Sequence, residues 1–359
     1  MKKLTRNLII VLMFASTLTY GQIKDIGNFM AGGVEDAENL FQEYLTPLGN
    51  SFGASLTSGW YNTAKPHKPL GFDLTFTFNL AFVPDEDLTY MLDDIEFSEV
   101  PSVLSVNATG QAPTFSGKRD PGPQIQYIEQ VSGNNEVLAS YNAPKGTGVS
   151  FIGVPMIQLG VGLIKDTEIV GRYMPTVSLG NVGELGVWGV GLKHSLKQWI
   201  PGIKMLPVFN MSLFGGYTQM NSSAGISITH ADLGMRDPTT TPDYDNQSMD
   251  LTVSSFTAAL LVSANLPVVC FYGGAGIATT KSELALKGNY PYLAVNGNDV
   301  QTQVVTDPFT ISIENKDGAV MNPRLNAGVR FKFAVITLHF DYTYANYSLA
   351  TAGLGISFR

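Results

Sequence analysis

The chain has 359 residues, and only 14% of them are charged, against about 25% in ordinary soluble domains, while Gly supplies 37, Phe 20 and Tyr 15. That composition excludes a large soluble domain, whose surface needs more charge, and suits a barrel with lipid outside and a lumen within. A formal net charge of −8 argues against nucleic acid as a partner, since phosphate backbones call for a basic face.

Residues 1–21 have the build of a removable export signal. Lys2, Lys3 and Arg6 are basic, Leu8 to Leu18 is apolar, and Thr19-Tyr20-Gly21 offers small residues before a cleavage point at Gln22. About eleven apolar residues are too few to span ~30 Å of hydrocarbon as a helix. Loss of Lys2, Lys3 and Arg6 takes the net charge from −8 to −11. No later stretch reads as a transmembrane helix. Cys270 stands alone in the apolar run Val268 to Tyr272, so no internal disulfide is available and the cysteine reads as a small buried or lipid-facing residue.

Residues 22–50 form a separate N-terminal segment. Val34, Ala37, Leu40, Phe41, Tyr44, Leu45 and Leu48 fall at helical spacing over 34–48, with Glu35, Asp36 and Glu38 in the first turn, where the helix dipole favours acids. With only Gly49 and Asn50 before a strand expected from Ser51, this helix either plugs the lumen or lies at the periplasmic rim.

Residues 51–359 read as an antiparallel transmembrane β-barrel of about 14 strands, 12 to 16 being compatible with the pattern. The clearest strand is 72–82, with Phe72, Leu74, Phe76, Phe78, Leu80 and Phe82 on one face and Asp73, Thr75, Thr77, Asn79 and Ala81 on the other. Residues 324–333 and 336–344 alternate similarly around a tight Ala334-Val335 turn. Noisier segments lie at 52–62, 97–108, 151–163, 167–176, 184–195, 206–219, 247–265, 269–286, 298–306, 309–315 and 350–358. Turns at Lys165-Asp166, Leu266-Pro267 and Ala334-Val335 are short and fall on the periplasmic side. The connections near 111–150, 231–246 and 287–297 are long and fall outside the cell. Residues 193–206, with Lys193, Lys197, Trp199, Ile200 and Lys204, read as a short interfacial segment.

The inward faces carry the candidate ligand residues. In the 324–343 hairpin a two-residue turn makes Lys332 oppose Thr337 and Arg330 oppose His339, with Asp341 diagonal to Arg330; Arg324 lies on the same face. Glu168 and Arg172 make a second inward pair, and a three-residue turn at 164–166 sets Gln158 opposite Arg172. Each group is either an anionic head-group site or a polar ladder that fills the lumen. No enzyme is expected: of His67, His194, His230 and His339 only His339 is placed in the lumen, and no serine lies in a nucleophile elbow. No metal or other cofactor is expected, because ligand spacing is missing and Asp243 and Asp245 read as a solvated loop.

The stretches 155–163 (PMIQLGVGL), 186–194 (GVWGVGLKH) and 197–202 (KQWIPG) resemble an uncharacterised family of outer-membrane proteins from Bacteroidota. The resemblance implies a location and no activity. A weaker, architectural likeness is to the fourteen-stranded fatty-acid and hydrocarbon transporters with an N-terminal plug. Leu354, Ile356 and Phe358 at the end of the last strand resemble the signal that the barrel-assembly machinery recognises, with Arg359 after it as a departure. The expected location is the cell outer membrane, in contact with its lipid. The expected function is a pore or transporter for small, possibly hydrophobic, molecules, with a small hydrophobic or anionic ligand. The alternatives are a structural or adhesive barrel and, more remotely, a barrel-embedded hydrolase.

Overall fold

Ten of the alternating segments are strands of one sheet that closes on itself. The computed structural model describes residues 27–100, 103–131, 134–178, 183–238, 243–296, 299–314 and 321–358. The expected export signal, its cleavage point and Arg359 lie outside the described residues. The barrel strands are β1 (Phe72–Phe82), β2 (Phe151–Leu163), β3 (Thr167–Ser178), β4 (Glu184–Ser195), β5 (Phe209–Gly225), β6 (Ser248–Asn265), β7 (Val269–Lys287), β8 (Asn322–Phe333), β9 (Ile336–Tyr344) and β10 (Leu349–Phe358). Each is antiparallel to its chain neighbours, and β1 pairs with β2 on one side and β10 on the other, Phe72 lying opposite both Val161 and Phe358. Closure leaves the sheet without a free edge.

The period of two divides the wall as the sequence predicts. In β1, Asp73, Thr75, Thr77 and Asn79 are buried toward the lumen, while Phe72, Leu74 and Phe82 are exposed outward. Leu159, Ile169, Val190, Leu213, Leu260, Phe271, Phe340 and Ile356 continue the exposed apolar belt around the outside. In water so large an apolar surface would drive association; against lipid it has its solvent. No described helix is long and apolar enough to cross a membrane.

The short turns 164–166, 266–268 and 334–335 lie at one end, and the four-residue connection 345–348 at the other. The three-residue turn 164–166 uses positive φ at Lys165 (58°) and Asp166 (49°), and the Ala334-Val335 turn uses it at Ala334 (56°). The same end holds the start of β1, the end of β10 and the helical turn Pro201–Lys204. Lys193 to Ser195 are the end of β4, with Lys193 buried in the lumen, so the interfacial segment begins only after them.

The long connections leave the opposite end and are folded. Leu104–Ala108, Gln124–Val131 and Asn134–Asn142 form a three-stranded sheet, Asn289–Asn296 pairs with Asp299–Thr306, and Thr89–Met91 pairs with Gln111–Pro113. Thr310–Glu314 adds to β7 beyond the point where β8 has left it. The predicted strands at 97–108, 298–306 and 309–315 therefore belong to this cap, and 111–150 and 287–297 are structured in place of being plain loops.

The segment expected as a strand at 52–62 is not one. The helix α1 (Val34–Thr57) continues through it. Its first half has the apolar stripe read from the sequence, and its second half is mostly small: Gly49, Asn50, Ser51, Gly53, Ala54, Ser55. Small residues let it stand inside the ring of strands, where a Cβ on Gly53 would come within 2.7 Å of the Thr280 side chain. Residues 58–71 then run on as an extended thread to the short-turn end, where Leu70 N–H donates to Gly162 O at 3.0 Å. The helix thus stands at the long-loop end, and the expectation of a two-residue link holding it at the other mouth is overturned. Helix and thread together cross the lumen, the second half of α1 in its upper part and residues 58–71 below.

One hydrophobic cluster joins cap, helix and upper lumen, from Phe29, Phe41, Tyr44, Tyr127 and Phe309 down to Met156, Val187 and Met220. The ring of Phe41 meets those of Phe29 and Phe309 edge-on at 5.5 and 5.3 Å. A second cluster around Trp60, Tyr61, Phe214, Leu261 and Tyr272 fills the middle of the lumen.

Candidate functional site

The polar lumen is organised around the C-terminus of α1. A helix ends with carbonyls that have no partner in the next turn and with the negative pole of its dipole, and burial makes both costly. Here the wall supplies donors. Arg172 Nη1 donates to Leu56 O at 2.9 Å and Nη2 to Ser58 O; Arg324 Nη1 donates to Thr57 O at 2.7 Å and Nη2 to Ser58 Oγ at 2.9 Å. Asn79 Nδ2 donates to Ser55 O and Ser58 O at 3.0 and 3.1 Å. Two guanidinium groups are thereby held by backbone oxygens, hydroxyls and the dipole, with no ion-paired carboxylate on either among the described residues.

Below this collar the thread is aromatic. Trp60 lies with its ring 3.6 Å from the Arg172 guanidinium carbon, a cation–π contact, and 5.4 Å from the Phe214 ring centre. Gly191 and Gly216 make room for it, since a Cβ at either would sit 3.0 Å from the indole. Tyr61 OH donates to Asn326 Oδ1 at 2.9 Å. Of the spaces left in the lumen, one beside Trp60 holds about 10 Å³ and one beside Thr57 and Arg324 about 40 Å³.

Nearer the short turns, Glu168 receives Lys193 Nζ at 2.9 Å on one oxygen and both the ring Nδ1 and the backbone N–H of His67 at 2.8 Å on the other. His67 Nε2 lies 3.0 Å from Ser357 Oγ. The chain then opens into a mouth cavity of about 440 Å³ bounded by Lys65, Lys68, Arg330 and Lys332 among others.

All seven predicted site residues lie on the inward side of the wall, but the partners differ from those read from strand pairing. Arg330 opposes His339 and Lys332 opposes Thr337, as expected. Yet Arg330 takes Asp73 as its carboxylate, at 3.4 Å, while Asp341 accepts a hydrogen bond from Tyr272 OH at 2.9 Å. His339 is fully buried over Gly353, and neither ring nitrogen has a hydrogen-bond partner. Arg172 opposes Gln158, and its Nε donates to Gln158 Oε1 at 3.3 Å, again as expected. Glu168 pairs with Lys193 and His67 in place of Arg172. Lys193 was hidden by its place near Trp199, Ser58 and Trp60 by their place in 52–62, read as a strand, and His67 by its place in the connection between that segment and 72–82. Asp73 was visible, on the inward face of the clearest strand.

A closed antiparallel barrel with an apolar outside and a polar, filled lumen is an outer-membrane type of architecture. The chain belongs to a family whose model matches residues 1–358 and which is described as a family of unknown function (DUF6588). No curated protein matches it. Among solved structures it is similar to the attachment invasion locus protein Ail of Yersinia pestis (8% identity, 80% of this chain and 97% of that one, TM-score 0.23). It is also similar to the outer membrane protease OmpT of Escherichia coli (9%, 81% and 97%, 0.29) and the toluene transporter TbuX of Ralstonia pickettii (7%, 82% and 92%, 0.16). An adhesin-like, a proteolytic and a transporting barrel at such scores indicate no one activity.

Proposed function

We propose that the protein is a sealed outer-membrane barrel that presents its folded cap at the cell surface as a binding or adhesive face. The observation that carries this reading is the filled lumen: the second half of α1 stands in its upper part, residues 58–71 run from there to the short-turn mouth, and the cap is built on the same helix. Passive diffusion through such a barrel would need α1 and the thread to leave together, taking from Arg172, Arg324 and Asn79 their backbone acceptors and from Glu168 its bonds to His67. Each buried polar group left without a partner costs about 1–3 kcal/mol. The apolar belt supports a place in lipid, and the long folded connections support an outward-facing cap. Within residues 83–150 ten Asp and Glu stand against three Lys and Arg, which suits basic or cation-bridged partners. Leu354, Ile356 and Phe358 are exposed on the outer face of β10, where assembly machinery could read them.

The test is electrical and topological. Full-length protein in a planar bilayer is expected to show no sustained opening steps, and protease added to intact cells is expected to cut within 83–150. A stable open-channel current from the unmodified chain would return the reading to a pore.

A further inference from the structure

Three polar side chains from distant parts of the chain meet at the short-turn mouth: His67 from the thread, Glu168 from β3 and Ser357 from β10. Glu168 is paired with the Lys193 ammonium at 2.9 Å, so it is an ionised acceptor. Hydrogen-bonded to that carboxylate at 2.8 Å, Nδ1 carries the imidazole proton. Nε2 is then left as a lone pair 3.0 Å from Ser357 Oγ. This is the tautomer, order and spacing of a hydroxyl nucleophile, its general base and the carboxylate that orients the base. A chain of hydrogen bonds that only strapped the thread to the wall would need neither a serine beside Nε2 nor an approach to it. Here there is an approach, though a tight one: Ser357 lies at the cavity wall and is 1% exposed. His67 and Ser357 line the 440 Å³ mouth cavity together with Lys65, Lys68, Arg330 and Lys332. Arg330 Nε is buried with no hydrogen-bond partner.

We propose that Ser357, His67 and Glu168 form an esterase site at this mouth, selective for carboxylic esters that carry a negative charge. Ser357 Oγ bonds to the ester carbonyl carbon while its proton passes to His67 Nε2. Lys332 on the same cavity, with the Nε–H of Arg330 that its pairing with Asp73 leaves unused, favours the oxyanion that develops. The C–O bond to the leaving alcohol breaks as His67 returns the proton to that oxygen. Water then attacks the acyl-serine, giving its proton through His67, and releases the acid with Ser357 restored. Glu168 is the positioning residue, and Lys65 and Lys68 at the entrance select the anionic substrate. The activity is independent of the surface role above, since the site opens at the other end of the sealed barrel.

The experiment uses the full-length barrel in detergent micelles, a fluorophosphonate probe with peptide mass spectrometry, and two 4-nitrophenyl esters, the anionic hydrogen succinate and the neutral butyrate. One adduct is expected, on Ser357, together with faster turnover of the succinate. Ser357→Ala removes both adduct and turnover, and His67→Gln slows turnover about 100-fold or more. Glu168→Gln moves the acid limb of the pH–rate profile to lower pH, because the imidazolium loses its counter-charge. Lys65→Ala with Lys68→Ala abolishes the preference for succinate. No adduct on Ser357, with turnover equal to that of Ser357→Ala in protein that keeps its heat-modifiable migration, would overturn the site. An unchanged ester preference in the double lysine variant would overturn the substrate class.

Discussion

Asp36 in the first turn of α1 looks in the sequence like one of three acids that complement a helix dipole. It is instead fully buried in the cap, where one oxygen accepts Ser98 N–H at 2.7 Å and the other the Tyr127 hydroxyl at 3.0 Å. Desolvation raises its pKa above 3.8, against the lowering effect of those hydrogen bonds. A carboxyl whose folded pKa is raised binds its proton more readily in the folded state. Its contribution therefore falls as pH rises from 3.8 through the raised value, and recovers on acidification. The stability of wild type relative to Asp36→Asn is accordingly expected to be higher near pH 4 than at pH 7. Hydrogen exchange of residues 28–57, measured in both proteins across that range, tests this, and a pH-independent difference would contradict it. Glu35 and Glu38, on the same turn, show why sequence alone did not single out Asp36: burial of one acid among three is decided by Ser98 and Tyr127, far along the chain.

For β1, alternation settles which face meets lipid, but it says nothing of what the other face meets. Phe76→Arg puts a charge into hydrocarbon at about 2–4 kcal/mol and is expected to reduce assembly. An empty, hydrated lumen would accept Thr77→Arg. Thr77 is instead fully buried, its hydroxyl 3.3 Å from where a Cβ on Gly59 would stand. Thr77→Arg therefore overpacks the lumen and is expected to assemble only with the thread displaced, giving a leaky barrel. Yields of heat-modifiable protein and bilayer conductance for the two variants distinguish these failures. Equal loss of assembly with no leak in Thr77→Arg would show that the thread is not what it strikes. Helix α1 teaches the same lesson. Pro47, Gly49 and Asn50 are stop signals in isolation, and the helix runs past them to Thr57 because the ring of strands confines it and Arg172, Arg324 and Asn79 receive its end.

At the scale of the whole molecule, the thread changes what a truncation means. With a helix at 34–48 plugging the lumen from the near mouth, deleting residues 23–48 would open it. Because residues 49–71 remain and Trp60 sits between Phe214 and Arg172, that deletion is expected to disturb the cap and leave conductance closed. Deletion of residues 23–70 is expected to give sustained current. Recording both in planar bilayers, after heat-modifiable migration shows each to be folded, separates a seal made by the thread from one made by the cap loops. A closed barrel after the longer deletion would place the seal elsewhere.

All ten wall strands lie among the fourteen segments read from the sequence, and the faces of 72–82, 324–333 and 336–344 and the pairing of Arg330 with His339 and Gln158 with Arg172 were legible there, because lipid outside imposes a period of two and short turns transmit register from one strand to the next; the four segments that are not wall alternate no differently. The sequence by itself thus determined a barrel and its polarity. Only the tertiary structure decided what stands inside it: the continuation of α1 to Thr57, the path of residues 58–71, the exchange of Asp341 for Asp73 beside Arg330, and the meeting of His67, Glu168 and Ser357. These depend on contacts between residues a hundred or more positions apart, within a lumen that accepts small, aromatic and charged residues alike. Such a space selects by volume and hydrogen-bond geometry, and neither leaves a periodic trace along the chain.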